Sequence, residues 1–357
     1  MSESSCLRQA ALLEQYVARA LAYVSSEAQE GTVMLRTPLC DLLGIGVPII
    51  LAPMGSATSP EFAAAASNEG ALGSIGSLNR ASAAVMRDID TVRDLTNRNF
   101  AVNHIPPMLD ADTFRHTLAA RPAVISFALG DPGDLVQQAQ DAGSKVMVQV
   151  TTVAQAIEAA ERGADVVIAQ GAEAGGYGGV VSTMVLLPQV VDAVSPIPVV
   201  AAGGIFDGRG LAAALMLGAV GANLGTRFLA SNEAPIDEQW KQAIVAARSE
   251  DAMKMDVFNE IQPLPGTAGY GTVLRSLRTP FLEEWSANRE EARRERDRLW
   301  REIQAKARAG RRHETLLTAG QTAGGITDVL SVAEIIRRLV AEAEDTLSRG
   351  SDITAKK

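Results

Sequence analysis

Between Gln170 and Gly179 the chain reads QGAEAGGYGG, and five of these ten residues are glycine. One large polar side chain, Tyr177, stands among them. Glycines at this density let a backbone pass close to a flat ligand, because no Cβ intrudes. A phenol left alone in such a clearing is a good hydrogen-bond donor and a candidate acid. It is a poor base near neutral pH, since its ordinary pKa is about 10 against about 6.5 for histidine. A second glycine group lies in AAGGIFDGRGLAAALMLGAVGANLGTRFLA (201–230), where Gly203-Gly204 and Gly225-Thr226 each follow a β-rich run. Asp207 is placed there to cap a helix running to Leu217. Two such turns, one β/α unit apart, suit a phosphate held by backbone N–H groups and a helix N-terminus. The APMGS turn around Pro53–Gly55 reads either as a plain turn or as a strand-end loop needing close backbone approach.

The elements that must carry these turns are legible as β/α alternation. Eight short runs of few charges, rich in Val, Ile and Ala, start with PIILA (48–52), ALGSI (71–75), FAVN (100–103) and AVISF (123–127). KVMVQV (145–150), DVVIAQ (165–170), IPVVAA (197–202) and VGANL (220–224) complete them. Strands buried on both faces of a parallel sheet have this composition. Helical stretches such as SPEFAAAASNEG, TVAQAIEAAERG and DGRGLAAALMLG lie between them and end in glycine. The expected fold is an α/β (β/α)8 TIM barrel over residues 36–235, with a doubly wound open sheet as the rival. The glycine turns then fall on the C-terminal face, where barrel enzymes keep their chemistry.

Flanking segments are added to this core. Leu12, Leu13, Tyr16, Val17, Ala20 and Leu21 recur at helical spacing, so residues 1–35 read as an amphipathic N-terminal helix. Residues 236–357 read as a helical C-terminal extension, irregular over 246–276 with proline and glycine near Gln262–Gly271. A long charged surface helix follows over 283–314, anchored only by Leu299, Trp300 and Ile303, and an amphipathic helix closes the chain.

Composition limits the function. The chain has 357 residues, 47% hydrophobic and 21% charged, which supports a large core. Its net charge of −9 argues against nucleic-acid binding, as do the glutamates interleaved with the arginines of 283–314. Two cysteines, Cys6 and Cys40, make neither a metal spacing nor a disulfide framework, which fits a reducing cytoplasm. No run approaches the ~20 apolar residues of a membrane span, and the N-terminus lacks the pattern of a secretory signal. HExxH, CxxC, Rossmann and nucleophile-elbow motifs are absent, so no metal is expected. Of the three histidines, His116 and His313 read as surface residues and His104 follows Asn103 at a strand end.

LAPMGSATSPEFAAAASNEGALGSIG, QGAEAGGYGG, PVVAAGGIFDGRGLAAALMLGAVGANLGTRFLAS and AGQTAGGI together resemble the nitronate monooxygenase (2-nitropropane dioxygenase) family, which includes flavin-dependent enoyl-ACP reductases. The resemblance covers roughly residues 36 to 340. It implies a barrel binding FMN without a covalent link. By position, Pro53, Met54 and Gly55 would line the isoalloxazine ring, Asn103 and Gln149 would offer polar contacts, and Gly176 would lie close. Gly203, Gly204, Gly225 and Thr226 would hold the phosphate, and Gln321 would return to the site on a tail segment (319–326). The family's motif after strand six carries a catalytic histidine in GGH; here Tyr177 stands in its place, and the glycines would clear room for the flavin and substrate. His104 is the candidate replacement base.

The resulting expectation is an FMN-dependent oxidoreductase that oxidises an alkyl nitronate or similar carbanion with O2. The alternatives are an NAD(P)H-dependent reductase of an activated C=C bond, a tailoring monooxygenase, and a non-catalytic flavin-binding protein. The partner is a small-molecule substrate, and two amphipathic terminal helices are compatible with a homodimer.

Overall fold

All eight apolar runs become strands in the computed structural model, which describes residues 35–78, 80–263 and 272–353. They are β1 (Ile49–Leu51), β2 (Gly73–Gly76), β3 (Phe100–His104), β4 (Val124–Phe127), β5 (Lys145–Val150) and β6 (Val166–Gln170). After a short strand outside this set, β7 (Gly176–Gly178), come β8 (Val199–Ala202) and β9 (Gly221–Leu224). The eight pair in parallel, in the order β1-β9-β8-β6-β5-β4-β3-β2. The open side closes where Leu51 N–H donates to Leu72 O and Leu72 N–H to Ile49 O, both at 2.9 Å. The sheet is therefore a barrel with no free edge, the (β/α)8 fold. The open-sheet rival is excluded by this closure.

Local sequence explains the outer layer. Ser59, Thr152 and Asp207 each accept a backbone N–H three residues on, starting helices Pro60–Asn68, Val153–Glu161 and Gly208–Met216. The second and third run out just before Gly163 and Gly218, which hold φ of +88° and +96°. The barrel interior is filled from below by Ile50, Leu72, Met147, Ile168 and Val200, together with Leu39, Cys40 and Leu43 of helix Pro38–Leu43. Thr37 Oγ1 donates to Val220 O at the N-terminal end of β9, so this helix plugs the bottom of the barrel. That leaves the C-terminal end for a site.

The region after the barrel differs from the expectation. The stretch read as irregular contains β10 (Ala252–Lys254) and β11 (Val273–Leu277), which with β12 (Leu317–Thr318) form an antiparallel sheet. Its fourth strand is β7, with Leu274 opposite Tyr177. Residues 36–357 accordingly form one unit. The charged segment 283–314 is not one helix either. It is broken into Pro280–Ala287, Arg289–Arg294 and Arg296–Arg308, with Asn288 and Glu295 outside helical geometry. Ala292, Leu299 and Ile303 are fully buried and pack with Phe258, Leu274 and Tyr177. Its charges are largely spent locally: Arg289 and Arg293 both reach Glu260, at 3.1 and 2.8 Å. Helix Val332–Ile353 closes the described chain and lies against the start of Gly208–Met216, where Gly208 N–H donates to Glu342. No helix among the described residues is long and apolar enough to cross a membrane. The N-terminal helix expected over 1–35 lies outside the described residues.

Candidate active site

The C-terminal ends of the strands surround one deep cavity. Pro53, Met54, Gly55, Asn103, Gln149, Gly176, Gly203, Gly204, Gly225 and Thr226, all singled out in the sequence, line it. The strand period selects them: in β3 Asn103 faces inward, so its neighbour His104 must face out. Asn103 donates from Nδ2 to Ser126 O and Oγ on β4 at 3.2 and 3.1 Å. His104 is not brought to the cavity. It is buried against helix Ala111–Ala120, with Nε2 3.1 Å from Thr117 Oγ1 and its ring edge-on to Phe114. Burial alone pushes its pKa down to about 4, so it is a neutral core imidazole. His116 and His313 pair with Asp90 and Asp237 and line no part of this cavity.

Two amides that the sequence reading passed over join the ring. Gln170 ends β6 and Asn223 lies in β9; their Oε1 and Oδ1 are buried without a hydrogen-bond partner among the described residues. The signal was available, since each is a polar residue in an otherwise apolar strand. At the turn after β8, Gly203 and Gly204 hold φ of +89° and +77°. A Cβ on Gly203 would stand 3.0 Å from Ala174 N and 3.1 Å from Gly171 O, so only glycine fits this curl.

The glycine run answers to two demands. A Cβ at Gly175 would lie 2.6 Å from Ala319 C and Gly320 N, and one at Gly179 would lie 2.7 Å from Thr151 Cβ. Those glycines make room for the protein's own segments rather than for a ligand, which corrects the simpler expectation. Gly176, by contrast, faces the cavity and meets only Thr318 Cγ2 at 3.8 Å. The tail does return here, but through Thr318, Ala319 and Thr322. Gln321 is not among the lining residues; its N–H donates to Glu173 O at 2.9 Å. Gly320 N–H donates to Thr226 Oγ1 at 2.8 Å, tying the tail to the turn after β9.

Tyr177 lines the cavity from β7 and packs on Phe258, ring centroids 6.4 Å apart. Its hydroxyl is buried and has no hydrogen-bond partner among the described residues, and burial pushes its pKa well above the ordinary phenol value. Backbone pairing to β11 fixes this strand, and two cations missed from sequence reinforce it. Lys254 Nζ donates to Gly178 O (2.7 Å) and Val273 O (3.1 Å); burial, with Arg275 nearby, pushes its pKa down to about 8. Arg275 donates to Ala172 O and Ala252 O. On the far wall Arg312, from the charged segment, donates to Ser56 Oγ at 2.6 Å and lies 5.4 Å over the Trp240 ring. Trp300 faces the same space.

A family model for nitronate monooxygenase matches residues 36–120 and 110–342. The chain belongs to the nitronate monooxygenase family. It is thereby placed among oxidoreductase enzymes. Across 340 residues it is 32% identical to a (3aS,4S,5R,7aS)-5-hydroxy-7a-methyl-1-oxo-octahydro-1H-indene-4-carboxyl-CoA dehydrogenase of Rhodococcus jostii, covering 87% of this chain and 96% of that one. A probable nitronate monooxygenase of Staphylococcus aureus is 32% identical over 295 residues, 70% of this chain and 80% of the other. Among solved structures, FabK from Thermotoga maritima superposes with a TM-score of 0.80 at 33% identity, covering 90% of this chain and all of that one. A nitroalkane oxidase from Streptomyces ansochromogenes reaches 0.76 at 28% identity, covering 87% and 99%. Within this nitronate monooxygenase framework, a tyrosine, Tyr177, lines the cavity.

Proposed function

We propose that the protein is an FMN-dependent oxidoreductase that reduces a C=C bond conjugated to a carbonyl group, with NAD(P)H as the source of reducing equivalents. Four features of the cavity fit FMN. The glycine curl at Gly203-Gly204 and the Gly225-Thr226 turn offer backbone N–H groups to a phosphate. The buried, unpartnered oxygens of Gln170 and Asn223 and the fixed amide of Asn103 suit the polar edge of a flavin ring. Gly176 leaves space for a planar body, since a Cβ there would meet only Thr318 Cγ2 at 3.8 Å. The turn at Met54 closes beside Gly225, where an added Cβ would meet Met54 Sδ at 3.4 Å. When bound, reduced FMN supplies hydride to an electron-poor carbon.

The observation that carries the reading is the state of Tyr177. Its hydroxyl is buried, held in the protonated form by that burial, and without a partner among the described residues, and the only other ionisable side chain among the described residues lining the cavity is the Arg312 guanidinium. Tyr177 donates a hydrogen bond to the substrate and passes its proton to the α-carbon as hydride reaches the β-carbon. The phenolate left behind is strongly basic in its buried setting and recovers a proton from water. The balance is one hydride and one proton added across the double bond, with NAD(P)H oxidised to NAD(P)⁺. Removing a proton from a neutral carbon acid would need a base, and the described residues lining the cavity include no carboxylate, histidine or lysine.

A second reading, oxidation of an alkyl nitronate with O2, is favoured by the family match and by the same lack of a base. A nitronate arrives already deprotonated. Turnover assays separate the two: consumption of NAD(P)H driven by an α,β-unsaturated thioester supports the first. Nitrite formation from a nitronate with no response to unsaturated thioesters refutes it.

A further inference from the structure

Beside the inner cavity lies an outer cleft of about 640 Å³, within the ~300–1,000 Å³ range of small-molecule sites. The two share Ser56, Trp240, Trp300 and Arg312 as walls. Three guanidinium groups line the outer cleft, those of Arg80, Arg308 and Arg312, against one carboxylate, Asp237. That carboxylate is already engaged by His313 Nδ1 and by the N–H of Trp240, each at 2.9 Å. Arg80 is held by Asp88 and by Gly76 O. The other two are not matched in this way.

Arg308 is exposed and makes no ion pair or side-chain hydrogen bond among the described residues. Among the described residues half-buried Arg312 has no carboxylate partner in an ion pair, and its Nε is buried without an acceptor. Burial pulls its pKa down, with Asp237 only partly offsetting this, yet no guanidinium loses its charge at ordinary pH. A cation left dry with an unused donor is costly unless an anion arrives to take it. Guanidinium forks match phosphate geometry in particular, and Arg312 is held flat on an indole face that fixes its direction.

We infer that this cleft binds the phosphorylated adenosine diphosphate end of the reacting molecule, with Arg312 at the neck and Arg308 outside it, while the reactive end lies in the inner cavity. The inference rests on the proposed reduction of a conjugated C=C bond. That reaction offers two sources of the same chemistry: coenzyme A carrying an acyl substrate, and NADPH carrying the hydride. The other arginines of the segment do not qualify, since Arg311 pairs with Glu314 and lies outside the cleft lining.

The test is equilibrium binding to the full chain by calorimetry, with free coenzyme A, NADPH and pantetheine as separate probes. Coenzyme A or NADPH should bind at least tenfold more tightly than pantetheine, and affinity should fall with added salt. Arg308→Ala and Arg312→Ala should each weaken the preferred probe about tenfold, as loss of one charge-assisted contact does. Arg311→Ala should change it less than twofold. Preference for coenzyme A assigns the cleft to the substrate, and preference for NADPH assigns it to the reductant. Binding of neither, or affinities that the Arg308 and Arg312 variants leave unchanged, overturns the inference. Flavin uptake is read by absorbance on the same preparations. Its absence would count against the functional reading, and the calorimetric result would still decide the cleft.

Discussion

A buried hydroxyl without a protein partner is a cost to the fold, and Tyr177, which has none among the described residues, carries that cost. Replacing it with phenylalanine therefore separates structure from chemistry. Tyr177→Phe should leave the thermal midpoint unchanged or raise it, because an unsatisfied buried group is removed. Turnover on a conjugated C=C substrate should fall roughly 100-fold, the scale of a lost general acid. Melting and steady-state kinetics on the same samples check both, and unchanged turnover would show that the phenol only packs. His104 makes the opposite case, a histidine whose role is in the core. Its folded pKa of about 4 lies below the ordinary 6.5, so between these values the unfolded chain holds a proton that the folded one refuses. Stability should thus fall as pH drops below about 6.5, by about 2 kcal/mol between pH 7 and pH 5 from this residue. Urea titrations at the two pH values, compared with His104→Asn, measure that slope; an equal slope in the variant would remove His104 as its source.

At the scale of elements, the site depends on a strand too short to stand alone. β7 has three residues and is held by β11 and by Lys254, while Arg275 braces the loop before it at Ala172 O. The tail crosses it so closely that Gly175→Ala would put a Cβ 2.6 Å from two backbone atoms of the tail. Backbone cannot yield as a side-chain tip can. The substitution should cost about 1–3 kcal/mol and displace Thr318–Thr322 from the cavity wall, weakening flavin uptake. Urea unfolding together with flavin titration reads this, and full uptake at unchanged stability would mean that the tail is not part of the binding wall. This contact also explains what the sequence could not convey. The barrel strands are legible because burial on both faces writes itself as uninterrupted Val, Ile and Ala. β10, β11 and β12 are half-covered by one another and by helices from elsewhere in the chain, so their residues look irregular. Nothing local tells a reader that Leu274 will face Tyr177.

For the whole molecule, the same contrast decides which site residues could be found beforehand. The glycine turns are fixed by local strand–turn–helix geometry and fall on the cavity, as does Asn103, which the family resemblance points to. Tyr177 is legible as well, as the one large polar group in its glycine run. Arg312 and Trp300 come from a segment whose charge pattern reads as solvated surface, and only the fold over the barrel mouth brings them in. His104 shows how one position along a strand exchanges cavity for core. The charged segment is thus better described as a cover whose buried stripe of Ala292, Leu299 and Ile303 seats it over the site and whose arginines border the entrance.

The most direct test of the account is anaerobic. The protein is loaded with FMN, reduced with a stoichiometric amount of NADPH or NADH, and flavin absorbance is followed as an α,β-unsaturated acyl thioester is added. The account predicts bleaching by the nicotinamide and full return of colour with the thioester, slowed about 100-fold in Tyr177→Phe. Bleaching by an alkyl nitronate alone, with no response to nicotinamides or to the thioester, would contradict it.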